Sequence, residues 1–111
     1  MKLTTEERGN VSIVHLDGSL TGGDESAWVQ PVTRLLDKTA ARVVLDMANV
    51  SYVSSAGLGD LVRLTALANT QGSRLVVACL TPFVTDVLKT TRLDRFFEVY
   101  PNVDAAVGEV R

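Results

Sequence analysis

Two adjacent hydroxyls, Ser54 and Ser55, stand in the run Val50-Ser51-Tyr52-Val53-Ser54-Ser55-Ala56-Gly57-Leu58-Gly59-Asp60-Leu61, at the junction between an apolar strand region and a helix-patterned segment. A serine just ahead of a helix can accept from free backbone N–H groups, and a phosphate carried there lies at the positive end of the helix dipole. Gly57 and Gly59 each cost such a helix about 1 kcal/mol relative to alanine, so they need a compensating reason. The reason expected is a bare, flat patch beside the serines that another protein's backbone can approach. Capping, phosphate acceptance and protein contact are thus the chemistries open to this junction. Nucleophilic catalysis fits poorly, because a G-x-S-x-G elbow is absent and His15 is the only histidine available as a base.

The surrounding pattern supplies the elements that must hold this junction. Leu3 to Glu7 and Val11 to Leu16 flank Arg8-Gly9-Asn10 and read as an antiparallel hairpin at a sheet edge. The Gly22-Gly23 pair marks a loop, and Asp24 or Ser26 then offers an N-cap for a helix reaching about Lys38. Pro31 predicts a kink or a late start in that helix. Arg42 to Met47 reads as a central strand, followed by the serine loop and a helix from about Gly57 to Thr70, with Gly72 at its C′ position. Arg74 to Leu80 holds an apolar run suited to a strand covered on both faces. Thr81-Pro82 is a clean helix start, its helix ending near Thr91, and Asn102 caps a terminal helix after a short strand at Phe96 to Val99. The order is β-β-α-β-α-β-α-β-α, an α/β architecture in which each connection after the hairpin is long enough to join parallel strands. In open sheets of this kind, partners meet the loops at the carboxyl ends of strands, where Ser54 and Ser55 fall.

Composition narrows the function classes. The 111 residues, 46% hydrophobic and 22% charged, suit one globular domain spanning 1–111. A net charge of −2 with both signs scattered gives no footprint for nucleic acid. No apolar stretch approaches the roughly eighteen residues of a membrane span, and the first residues lack the pattern of a secretory signal, so the expected address is the cytoplasm. One cysteine and one histidine cannot make the usual structural zinc set, and no metal or cofactor is expected. His15 between Val14 and Leu16 reads as a satisfied sheet residue, Cys79 as a small core residue, and Trp28 as core or a partner anchor. Gly22-Gly23 lacks the lysine of a phosphate-binding loop and reads as a turn. Lys89, Arg92 and Arg95 read as a solvated helix end.

The segment Val43 to Gly59 closely resembles the signature of the STAS family, named for sulfate transporters and anti-sigma factor antagonists. Leu16-Asp17-Gly18-Ser19-Leu20 resembles that family's strand exit before its first helix, and Asp86 to Phe97 its later helix and final strand, so nearly the whole chain is covered in order. The resemblance implies a STAS-like fold with a mixed sheet of four to five strands and about four helices. It also implies partner switching: the unmodified domain binds an anti-sigma factor that is a serine kinase, and phosphorylation of one serine reverses this, with a cognate phosphatase restoring it. Carried over by position, the acceptor is Ser55, with Ser54 the alternative. The implied partner-binding residues are Thr21, Asp24, Ser54, Ser55, Ala56, Gly57, Leu58 and Gly59. The family often has aspartate where this chain has Ser54 and Thr21, and Asp24 or Asp60 is the candidate to replace that charge. The runner-up reading is a STAS assembly subunit of a membrane lipid-transport complex or a signalling scaffold; neither is an enzyme.

Overall fold

The computed structural model describes residues 1–23 and 25–111. Strands β1 (Lys2–Arg8) and β2 (Val11–Leu20) pair antiparallel across a two-residue turn, with Leu3 opposite Leu16 and Glu6 opposite Ile13. Then β3 (Arg42–Val53), β4 (Arg74–Ala78) and β5 (Val99–Tyr100) are added in parallel, giving one five-stranded sheet in the order β1-β2-β3-β4-β5. The α/β element order read from the chain is the order observed, and the hairpin does lie at the sheet edge.

Helices α1 (Gln30–Leu36), α2 (Ser55–Thr70) and α3 (Pro82–Thr90) cover one face, sealing Val14, Leu16, Val43, Leu45 and Val77 under Trp28, Leu61, Leu64, Val84 and Leu88. Trp28 is fully buried there, which settles it as a core residue. Helix α4 (Val103–Val110) covers part of the other face, packing Ala106, Val107 and Val110 on Val11, Ile13, Val44 and Val76. Both faces of β3 and β4 are therefore clothed, which is why their sequences run apolar at successive positions.

Local chemistry sets the helix ends. Ser54, Thr81 and Asn102 each accept from the backbone N–H three residues on, at Gly57, Val84 and Ala105. Helix α2 closes on Gly72 at φ 72°, with Ser73 N–H reaching back to the Ala68 carbonyl at 2.9 Å. This is a Schellman closure, and a side chain at that φ would be strained.

Several boundaries differ from the sequence reading. Strand β3 continues six residues past Met47 to Val53, so no separate serine loop intervenes between strand and helix. Its register with β2 slips twice, between His15 and Asp17 and between Gly18 and Ser19, and these irregularities deprive the stretch beyond Met47 of a regular strand pattern. Helix α1 starts late, at Gln30 after a π-helical turn over Glu25–Val29, which puts Pro31 in the first turn where its missing N–H is harmless. Ser26 lies inside that turn and not ahead of it, Asp24 lies outside the described residues, and α1 ends at Leu36 rather than Lys38. Strand β4 stops at Ala78, where Cys79 turns to φ 62°. The last strand is Val99–Tyr100, since Phe97 is buried against the helical layer before pairing begins. None of the helices among the described residues is long and apolar enough to cross a membrane.

Candidate functional site

Three chain segments meet at the carboxyl end of the parallel strands: the β2 exit at Leu20 to Gly23, the β3 to α2 junction at Tyr52 to Gly59, and the start of α3 at Thr81 to Phe83. The central junction is held from both sides. Ser54 donates its N–H to the Leu20 carbonyl at 2.8 Å, while the Thr81 hydroxyl donates to the Val50 carbonyl at 3.0 Å.

The two serines have different roles in this frame. Ser54 is half-buried, and its Oγ accepts from Gly57 N–H at 3.1 Å while its carbonyl accepts from Leu58 N–H at 2.8 Å. Its hydroxyl is committed to the cap. Ser55 is the first residue of α2, exposed, and its hydroxyl has no hydrogen-bond partner recorded among the described residues. It stands at the positive end of a 16-residue helix, where added negative charge is stabilised.

Around Ser55, Thr21, Ala56 and Gly59 are exposed, whereas Gly57 and Leu58 are buried. The glycine patch expected from sequence is therefore corrected. A Cβ on Gly57 would come within 2.1 Å of the Leu20 carbonyl oxygen, so this glycine exists to let α2 touch the β2 exit, not to face a partner. Gly22 packs the same way, its missing Cβ position lying 2.5 Å from Ala56 Cβ. Gly59 has open space on its outer side and is the glycine that remains bare. Leu58 turns into the core with Leu61. Of the two carboxylates considered as replacement charge, Asp60 accepts from Arg63 at 3.1 Å on its own helix, and Asp24 lies outside the described residues.

The sequence reading missed two members of this end of the molecule. Tyr52 and Phe83 are 45% and 44% exposed, with ring centroids 5.3 Å apart. Phe83 falls beside, not on, the Val84, Val87, Leu88 stripe of α3, and that offset was the available signal. Tyr52 is hidden in the sequence because the stretch Ala48 to Val53 lacks the alternation of a regular strand. Far from this end, both ring nitrogens of His15 face carboxylates, so it is the satisfied sheet histidine expected, though its partners Glu6 and Asp46 were not foreseen. Cys79 is half-buried at the end of β4 and not deep in the core. Burial, then the nearby Asp46 charge, pushes its thiol up, which leaves it a poor nucleophile. Among the described residues no cluster of His, Cys, Asp or Glu could hold a metal ion.

Comparison with known proteins agrees with this fold. The family model described as STAS domain matches residues 2–106. The Bordetella bronchiseptica protein BtrV, named as an anti-sigma factor antagonist, is 28% identical over 108 residues, covering 97% of this chain and 93% of that protein. Rv2638 of Mycobacterium tuberculosis, named as an anti-anti-sigma factor, is 23% identical over 111 residues, covering 98% of this chain and 75% of that one. Among solved structures, an anti-sigma factor antagonist of Thermotoga maritima superposes with a TM-score of 0.88 at 23% identity, covering 98% of this chain and 94% of the other.

Proposed function

The chain belongs to the STAS domain family, and on that footing we propose that it is an anti-sigma factor antagonist working by partner switching in the cytoplasm. Unmodified, it binds an anti-sigma factor that is also a serine kinase; phosphorylated on Ser55, it lets go, and a phosphatase resets it. It acts by binding and not as an enzyme. The observation that carries this reading is the division of labour between the serines: Ser54 fills the helix cap, which leaves the exposed Ser55 hydroxyl free to be modified without unmaking the helix. The names of the Bordetella and Mycobacterium relatives support the same reading.

The contact face consists of Thr21, Ser55, Ala56 and Gly59, extended by Tyr52 and Phe83, and Ser54, Gly57 and Leu58 support it from behind; Asp24 lies outside the described residues. A phosphoserine brings roughly −1.5 to −2 charges at neutral pH. The helix dipole and amides accept that charge within the fold, so the penalty appears at the interface, where a dianion must be desolvated against a small, largely uncharged surface.

The test is incubation with candidate anti-sigma kinases, intact-mass analysis and binding titration of Ser55→Asp and Ser55→Ala. One phosphate localised to Ser55 is expected, with Ser55→Asp weakening binding by about 2–3 kcal/mol, roughly 30- to 150-fold, and Ser55→Ala still binding but unmodified. Equal affinity of Ser55→Asp and wild type refutes the switch and favours the constitutive assembly role.

A further inference from the structure

A second cluster of ionisable groups lies on the sheet face that α4 covers, beyond the end of that helix. His15 on β2 continues the row of Val11 and Ile13, Asp46 on β3 continues that of Val44, and Glu6 on the edge strand β1 lies opposite Ile13. His15 Nδ1 is 2.7 Å from Asp46 Oδ2, and Nε2 is 2.9 Å from Glu6 Oε1. An ionised carboxylate can only accept, so each nitrogen facing one must carry a proton, and a neutral imidazole has a single proton to offer.

We infer that Glu6, His15 and Asp46 form a proton-operated clasp: the doubly protonated ring ties edge strand β1 to the first irregularity of β3, and loss of one proton opens the tie. Asp46 extends the clasp into the backbone, because its Oδ1 accepts from Ala48 N–H at 3.0 Å, next to the point where β3 slips register against β2. The clasp does not depend on the role of Ser55.

The other groups facing it keep the two carboxylates ionised. Glu6 also accepts from Arg8 at 2.9 Å, and Arg8 in turn bonds Asp104 of α4 at 2.7 Å. The Cys79 thiol approaches Asp46 from the end of β4 and, with its pKa raised, stays neutral. The Glu6 hydrogen bond, then that of Asp46, lifts His15 above its ordinary 6.5 against a smaller cost of burial. Burial opposes ionisation of Asp46, but hydrogen bonds from Ala48, His15 and Cys79 outweigh it and hold the carboxyl below its ordinary range. Glu6 is lowered by its bonds to His15 and Arg8. The signs follow from linkage. The His15 contribution is complete below its unfolded value near 6.5 and is lost as pH rises through the raised folded value; the carboxylate contributions persist above their unfolded values and fade only in acid. The clasp is therefore closed in mildly acidic solution and opens on the alkaline side.

Because His15 is the only histidine, its ring proton resonance reports it without ambiguity. Nuclear magnetic resonance titration of the full chain from pH 5 to 9, with amide exchange corrected for intrinsic base catalysis, tests the proposal. The expected midpoint lies above 6.5, and β1 amides together with that of Ala48 lose about tenfold in protection per unit of raised pKa as the ring deprotonates. Glu6→Gln is expected to bring the midpoint down, and His15→Gln to abolish the pH dependence of β1 protection. A wild-type midpoint at or below 6.5, or the same loss of protection in His15→Gln, overturns the clasp.

Discussion

Replacing Gly57 and Gly59 separately by alanine divides the β3 to α2 junction into its structural and its exposed parts. A Cβ at Gly57 would lie 2.1 Å from the Leu20 carbonyl oxygen and 2.5 Å from the carbon bearing it. Relief needs a displacement of more than about 1 Å, and the obstacle is backbone, not a side chain that can swing aside. That backbone is already fixed: Leu20 is paired with Val53, and its carbonyl accepts from Ser54 N–H at 2.8 Å. Moving α2 away therefore strains or breaks this hydrogen bond. Overpacking of about 1–3 kcal/mol and a lost hydrogen bond of about 1 kcal/mol, less about 1 kcal/mol of helix propensity, leave a net loss of about 1–3 kcal/mol. For a domain of this size that lowers Tm by roughly 5–15 °C.

Among the described residues Gly59 has no atom near its missing Cβ, so alanine there gains helix propensity without a clash, about 0.5–1 kcal/mol, and raises Tm by a few degrees. Calorimetry or thermal circular dichroism measures both. If Gly57→Ala proves as stable as wild type, the close approach of α2 to the β2 exit is not what fixes glycine at 57. If Gly59→Ala instead destabilises, that residue is held by something other than open solvent. The same pair then interrogates binding: with the fold intact, Gly59→Ala changes only the outer surface beside Ser55.

Three further outcomes follow from local geometry. Ser54→Ala removes the acceptor for Gly57 N–H and is expected to cost about 1 kcal/mol, with denaturant midpoints as the measurement. Arg92 occupies the left-handed C′ position of α3 at φ 60°, its exposed side chain contributing little; Arg92→Gly is expected to gain about 1 kcal/mol, and an unchanged Tm counts against strain there. Phe83→Ala removes an exposed ring stacked near Tyr52, so it should leave stability within about 0.5 kcal/mol while weakening partner binding by about 1–2 kcal/mol in a calorimetric titration.

What the chain disclosed on inspection was the chemistry that acts over three or four residues. Ser54, Thr81 and Asn102 as caps, Gly72 as a helix stop and Pro31 as a late start all depend on neighbours within one turn. What it withheld depends on register. The stretch Ala48 to Val53 reads as loop because Ala48, Asn49, Ser51 and Tyr52 are exposed while Val50 and Val53 are buried, a spacing of three that no regular strand shows. Only the two slips against β2 make it a strand. Glu6, His15 and Asp46 are likewise remote in sequence, nine and 31 residues apart, and become neighbours through an antiparallel pairing on one side and a parallel one on the other. Gly57 was legible as unusual but not as to why, since a glycine gives no hint of which side of it is crowded.

The long β3 also changes how the serine junction works. A strand ending at Met47 would have left Ser54 and Ser55 on a flexible loop, free to order or disorder with modification. Instead the strand runs to Val53 and passes into α2 through Ser54 alone, with the Leu20 carbonyl and the Thr81 hydroxyl tying the junction to both neighbouring segments. A phosphate at Ser55 then meets a backbone that cannot move to hide it. On a rigid platform the charge of the proposed modification can act only where a partner must cover it, so the proposed switch would be read out as a change in affinity with little change in shape. Backbone amide shifts in a phosphorylated or Ser55→Asp sample are accordingly expected to be confined to the first turn of α2 and the adjacent β2 exit. Perturbations spreading along β3 or into α3 would instead show a junction that deforms.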